Sequence, residues 1–318
     1  MKALIYEQPE CLRYGESPPP TGGESIVVAA AGICGSDMHA FLGHDERRPP
    51  PLILGHEAAG ESNGRQVIIN PLVVCGSCEY CHAGRDNLCP HREIISMPPR
   101  EGAFAEMTSV PSDNMLALPS SLSPQQGALA EPLACGHRTA GMGLQYCRRP
   151  PEECTAAILG GGAIGLAAAL SLSARGVRTI YIAETNTTRI PILQNIGDFI
   201  VVPPDQLPPA DVVVDAVGVA ATRERASAIV VPGGAVAHIG LGEQTGGFDM
   251  RRLTLQESVL CGVYTYTAAE FEETVRWMAE GRLGALDWFE TRPLKDGARA
   301  FADLRDGKVA APKILLIP

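Results

Sequence analysis

A short glycine string constrains this chain more than any other feature. Gly160, Gly162 and Gly165 fall in LGGGAIG, directly after an apolar run and directly before AIGLAAALSLSARG, which reads as a helix. Gly-x-Gly-x-x-Gly alone is a weak signal, but between a strand and a helix each glycine has a task. One makes the tight turn, one lets the backbone approach a pyrophosphate, and one lets the helix pack on the strand. The helix N-terminus then presents free N–H groups and a positive dipole end to phosphate. From Thr155 onward come AAILG, TIYIAE, DFIVV, DVVVDAVG, AVAHIGL and SVLCGVY, with helix-like segments between several of them. Apolar runs of this kind are strands buried on both faces. They predict an α/β fold with a doubly wound, six-stranded parallel Rossmann sheet.

The second run ends in Glu184, close to the expected spacing of about 20 residues beyond the glycines. A carboxylate there accepts hydrogen bonds from the adenosine ribose and repels a 2′-phosphate, and no cation follows before Arg189. NAD is therefore expected over NADP, held around Gly160, Gly162, Ala163, Ile164, Gly165, Glu184 and Arg189. A plain exposed carboxylate is the alternative reading of Glu184.

The first half of the chain reads differently. It holds short β-like runs (ALIY, SIVVAAAGI, RQVIINPLVV) broken by Gly and Pro, and most of the His and Cys. At 318 residues the chain is long for one domain, and 45% hydrophobic content supplies a core. A net charge of −10 argues against nucleic acid and anionic membrane as partners. MKALIYEQPE lacks the basic-then-apolar pattern of a leader, and no apolar run is long enough to span a bilayer, so the expected setting is the cytoplasm. In a reducing compartment ten cysteines are a poor disulfide framework. Cys75, Cys78, Cys81 and Cys89 crowd one segment, and four thiolates at that spacing suit a closed, structural zinc site. A second set is dispersed: Cys34 in GICGSDMH, His56 and Glu57 in GHEAAG, and Glu131 in AEPLACGH. One thiolate, one imidazole and one carboxylate would make an open zinc site, but spacing alone leaves a buried Cys and a structural His equally open.

GICGSDMH, LGHEAAG, the four-cysteine lobe, LAEPLACGH, LGGGAIG and DVVVDAVG occur in this order. Together they resemble the zinc-containing medium-chain dehydrogenase/reductase family along essentially the whole chain. Glu131–Pro132 is similar to the sorbitol and threonine dehydrogenase branch. The resemblance implies a β-rich, GroES-like zinc catalytic domain from residues 1–136 and 265–318, with its lobe near 75–89, interrupted by a dinucleotide domain at 137–264. It implies two zinc ions per chain. Cys34 and His56 are ligands of the catalytic one; either Glu57 or Glu131 binds directly while the other holds water. It implies a relay in which Ser36 takes a proton and passes it toward His39. Gly218, Ile239, Gly240, Leu241, Val263, Tyr264 and Thr265 line the cofactor, and a homo-oligomer (dimer or tetramer) is expected.

The implied reaction moves hydride between a secondary alcohol and NAD, the alcohol being a polyol, aldonate, cyclitol or amino alcohol. The branch places a Tyr after the relay His and an Arg-Tyr pair after the last dinucleotide strand; here these are Ala40 and Thr265–Tyr266. Phe104 and Tyr266 are candidates for a mixed apolar and polar wall, and Arg47, Arg48 and Arg100 for an acidic substrate. A zinc-free quinone or enone reductase of the same fold would lack Cys34, His56 and the lobe. A non-enzymatic zinc-binding interaction protein would need neither the glycine string nor Ser36 and His39.

Overall fold

The six apolar runs form the six strands of one parallel sheet. In a computed structural model, which describes residues 1–147 and 149–318, they are Thr155–Leu159, Thr179–Ala183, Ile200–Val202, Ala210–Asp215, Val230–His238 and Val259–Gly262. Across the sheet their order is third, second, first, fourth, fifth, sixth, and every neighbouring pair is parallel. Ala210–Asp215 is buried at every position, as a central strand covered on both faces must be. The helix Ala163–Ala174 is apolar all round and buried from Gly165 to Leu172, so it sits inside the unit. A Cβ on Gly165 would run into the Gly160 carbonyl oxygen, which is why this position accepts only glycine. The strand order reverses between the first and fourth strands, and the glycine string lies outside the carboxyl end of the first, where such sheets bind ligands. This unit comprises Pro132–Tyr266 with Gly281–Ala285.

The other unit comprises Met1–Glu131, Thr267–Glu280 and Leu286–Pro318. Its larger sheet has Met115–Ala117, Arg65–Ile69, Glu57–Ser62, Glu24–Gly32, Lys313–Ile317 and Phe289–Pro293 in that order, with Met107–Val110 also on Glu24–Gly32. The C-terminal strand is therefore central: it pairs antiparallel with Glu24–Gly32 and parallel with Phe289–Pro293. A smaller sheet orders Cys11–Glu16, Lys2–Gln8 and Leu52–Ile53. The core between them includes Leu4, Ile26, Phe41, Leu54, Phe104 and Phe301. Phe301 touches Phe41 and Phe104 at centroid separations of 5.2 and 5.9 Å. Burying each ring contributes about 1.5–3 kcal/mol. Phe104 thus belongs to the core, where the sequence suggested a substrate wall. Helix Ala268–Ala279 starts at a reciprocal Thr267–Glu270 cap and buries Phe271, Thr274, Val275, Trp277 and Met278, one stripe at helical spacing. Among the described residues no helix is long and apolar enough to cross a membrane.

Candidate active site and metal centres

The strand Glu24–Gly32 runs out through Ile33 to Cys34, which starts the helix Gly35–Phe41. The Cys34 N–H donates to Asp37 Oδ2 at 3.0 Å, fixing the turn. Asp37 is wholly buried; its Oδ1 accepts from the Gly55 N–H at 3.2 Å and stands 3.5 Å from His56 Nδ1. Ser96 Oγ lies 3.4 Å from the same ring nitrogen. With Nδ1 attended in this way, Nε2 is the His56 atom available to a metal. Strand pairing sets Glu57 opposite Gly32. Ligand atoms of Cys34, His56 and Glu57 come within 4.8 Å of one another, although their chain segments are far apart. Sulfur, imidazole nitrogen and carboxylate oxygen are a donor set that suits zinc.

Strong charges surround this group. Burial pulls His56 down, but the Asp37 carboxylate raises its pKa well above the ordinary value. Burial pushes Asp37 up, yet His56 and Arg48 hold it below the usual carboxylate range. A divalent cation at Nε2 would take the place of that proton. Glu57 is also buried, and Lys313 Nζ donates to both of its oxygens, at 2.7 and 2.6 Å, and to the Ile33 carbonyl at 3.0 Å. Burial works to lower Lys313, but Glu57, then Cys34, and further down Glu131 raise it above its usual value. A Cβ on Gly32 would run into Glu57 Oε2, so glycine in GIC makes room for that carboxylate. Glu131 lies in the first turn of helix Ala130–Tyr146 and is 6% exposed.

Ser36 and His39 are both half-buried on the helix that Cys34 begins. Burial and then the nearby His44 lower the His39 pKa below its ordinary value. Of the three arginines offered for an acidic substrate, Arg48 is buried with Asp45 at 2.6 Å, Arg47 pairs with Asp45 at 2.8 Å, and Arg100 pairs with Glu93 at 2.6 Å. Each already has a carboxylate partner within the protein, Asp45 serving both Arg47 and Arg48. Cys135, four residues past Glu131, is buried in the core. Sequence reasoning missed Asp37, Ser96 and Lys313. Lys313 left a trace, a cation inside an otherwise apolar terminal strand; Asp37 lies inside GICGSDMH; Ser96 left none.

In the cysteine lobe, sulfur separations are 3.5 Å for Cys78–Cys81, 3.5 Å for Cys89–Cys75 and 4.0 Å for Cys75–Cys81. A tetrahedral site with Zn–S near 2.3 Å places its sulfurs about 3.8 Å apart, so the four thiols fit the ion. N–H and O–H groups of Ser77 bring Cys75 down to about 6, while burial and then the Cys78 sulfur push Cys81 up to about 12. Four thiolates cannot share that space without a cation. Asp86 Oδ2 in the lobe accepts from the Ala268 N–H at 2.9 Å and so anchors the lobe to the start of helix Ala268–Ala279.

In the dinucleotide unit, Glu184 follows the strand Thr179–Ala183. Its Oε1 accepts from the Thr185 and Asn186 N–H groups at 2.7 and 2.8 Å, and its Oε2 meets Arg189 at 3.2 Å. Asp215 ties two strand ends together. Its carboxylate accepts from Val217 and Gly218 and meets His238 Nδ1 at 3.0 Å, and its carbonyl accepts from Ile239 and Gly240. Gly218 and Gly240 pack backbone to backbone with no room for a Cβ on either. Val263, Tyr264 and Thr265 follow the last strand, Thr265 with a left-handed φ of 45°. Arg223, unremarked in the sequence, is buried and donates to the carbonyls of Gly218, Glu243, Thr245 and Gly246, holding the loop after Val230–His238.

Residues 22–120 match the alcohol dehydrogenase GroES-like domain family, and residues 163–280 the zinc-binding dehydrogenase family. The chain is 30% identical to the L-galactonate-5-dehydrogenase of Escherichia coli K12 over 90% of its own length and 89% of that protein's. It is 34% identical to the sorbitol dehydrogenase of Bacillus subtilis over 62% of its own length and 59% of that protein's. A solved alcohol dehydrogenase from E. coli CFT073, complexed with NADH, superposes with a TM-score of 0.89 over 100% of this chain and 99% of that one. At 23% identity it speaks for the fold.

Proposed function

The chain belongs to the zinc-containing medium-chain dehydrogenase/reductase family, in its polyol dehydrogenase branch, and from that premise we propose how its residues divide the work. The reaction is hydride transfer between a secondary alcohol and a nicotinamide dinucleotide. The substrate class is a polyol or aldonate, the compounds named in the relatives. Zinc bound by Cys34, His56 and a carboxylate would supply a Lewis acid strong enough to bring a hydroxyl pKa into the neutral range. NAD would supply the hydride acceptor.

The chain's own groups do the rest. Lys313 occupies both oxygens of Glu57. That pairing favours Glu131 as the third direct ligand and leaves Glu57 as an outer carboxylate that sets the local charge. Ser36 accepts the alcohol proton while giving its own hydrogen on toward His39. His39 is suited to receive it, because burial and then His44 hold its pKa below the ordinary value and so favour the neutral, accepting form. Cys75, Cys78, Cys81 and Cys89 hold a second, structural zinc. Glu184 selects NAD over NADP by accepting from the adenosine ribose, and Arg189 steadies its carboxylate. Gly160, Gly162 and Gly165 with Ala163 and Ile164 form the pyrophosphate turn. Gly218, Ile239, Gly240, Leu241, Val263, Tyr264 and Thr265 lie at strand ends that face the cofactor. A cytoplasmic homo-oligomer completes the reading.

The observation that carries it is the convergence of Cys34, His56 and Glu57 within 4.8 Å in a frame that also buries Glu131. The test combines zinc analysis with NADH formation over a panel of polyols, aldonates, cyclitols and amino alcohols. Two zinc ions per chain and NAD-linked oxidation of a panel member are expected. A protein with zinc in the lobe alone and no alcohol oxidation would overturn it.

A further inference from the structure

Arg48 is 2% exposed, and its guanidinium bonds to three separate segments. Nε donates to the Ser96 carbonyl at 3.0 Å; Nη1 donates to Asp45 Oδ2 at 2.6 Å and to the Ser36 carbonyl at 3.4 Å; Nη2 donates to Ser36 Oγ at 3.4 Å. Taking a guanidinium out of water is costly, and a solvated arginine at a loop would serve any purely peripheral role. One partner is unusual. Ser96 is wholly buried and holds a left-handed φ of 71°, which side chains other than glycine seldom adopt. That backbone sets its Oγ 3.4 Å from His56 Nδ1 and its carbonyl on Arg48.

We propose that Arg48 is a positioning residue of the catalytic centre. Through the Ser96 carbonyl it holds the hydroxyl that orients His56, and with its other edge it holds Ser36. Because Ser36 Oγ accepts from Arg48, the hydroxyl hydrogen points elsewhere and is free to be handed on as Ser36 takes a proton from the alcohol. The planar fork is what reaches four acceptors on three segments at once; a lysine carries the charge but only one point of donation. This inference rests on the roles given above to His56 and Ser36.

The test uses the zinc-loaded full chain and a chromophoric chelator, with the cysteine lobe as internal control. Wild type is expected to release zinc in two phases. In Arg48→Lys the catalytic phase should quicken by about 10–100-fold, while the lobe phase stays unchanged. Ser96→Gly should quicken the same phase by about tenfold, because glycine takes the left-handed backbone freely and only the hydroxyl is lost. The double variant should add little beyond the stronger single one, since both act through one chain of contacts. In both single variants kcat should fall while KM for NAD holds. Catalytic-phase release within about twofold of wild type in folded Ser96→Gly, with kcat unchanged, would overturn the proposal even if Arg48→Lys does not fold. Wild type that releases lobe zinc alone would overturn the reading of the centre itself, and this proposal with it.

Discussion

The two candidate metal centres are assembled in opposite ways. The lobe draws Cys75, Cys78, Cys81 and Cys89 from one short segment, with Cys75 exposed and none of Glu79–His82 buried. Apart from Cys89 it has little core, so an ion would supply what packing does not. The dispersed set comes from residues 34, 56 and 57, and 131, and two of its members are framed by buried partners: Asp37 for His56, Lys313 for Glu57. On the proposed reading, one centre would be organised by its metal, and the other is organised by the fold, so that a metal would enter a site already charged and oriented. The contrast predicts that loss of a lobe ligand is seen first as lost stability, and loss of a ligand of the second centre first as lost chemistry.

Cys34→Ala should show the contrast most strongly. Turnover should fall at least about 10³-fold, since a Lewis acid supplies several kcal/mol and each 1.36 kcal/mol is tenfold. NAD affinity, read by fluorescence titration, should hold. Lys313→Met comes next. It strands a buried carboxylate, and urea unfolding should show a loss of about 3–5 kcal/mol, much of it recovered when Glu57→Gln is added. The pair raises Lys313 above 10.5, so its contribution is intact below that pH and lost only as pH climbs past the folded-state value. No recovery in the double variant would show that Lys313 serves packing rather than charge. Cys78→Ser should lower zinc content by about one ion per chain and lower the melting temperature, and full zinc content would remove the lobe assignment.

His39→Ala should be milder, with a loss of about tenfold at pH 7 that shrinks toward pH 9 as hydroxide removes the proton instead. A deficit that is flat with pH would take His39 out of the relay. Glu184→Ala should have the smallest effect on turnover and relax the preference for NAD over NADP several-fold, about 1 kcal/mol for lost ribose hydrogen bonds. Equal use of both cofactors by the native protein would contradict the role of Glu184.

Much of this is legible in the sequence. The six strands could be read because strands buried on both faces leave uninterrupted apolar runs, and the lobe because its ligands are close in sequence. The dispersed ligands needed the resemblance, since no spacing links Cys34 to His56 or Glu131. What escaped was the frame. Asp37, Arg48, Ser96 and Lys313 meet only once Glu24–Gly32 pairs with Glu57–Ser62 on one side and Lys313–Ile317 on the other. Register of that kind is set by the whole sheet, and no local pattern reports it. The same holds for Arg48 and Phe104, which the sequence offered for an acidic substrate and for a substrate wall. Both are buried.

If the two sites divide the work in this way, chemistry depends on the ion at the dispersed centre and not on the one in the lobe. The direct measurement follows NADH formation against zinc content while a chelator strips the ions from wild type, and again as zinc is returned. Activity should fall in proportion to the loss of one zinc per chain, reach zero with the lobe ion still bound, and return as zinc is restored. Full turnover after that centre has been emptied would contradict the account.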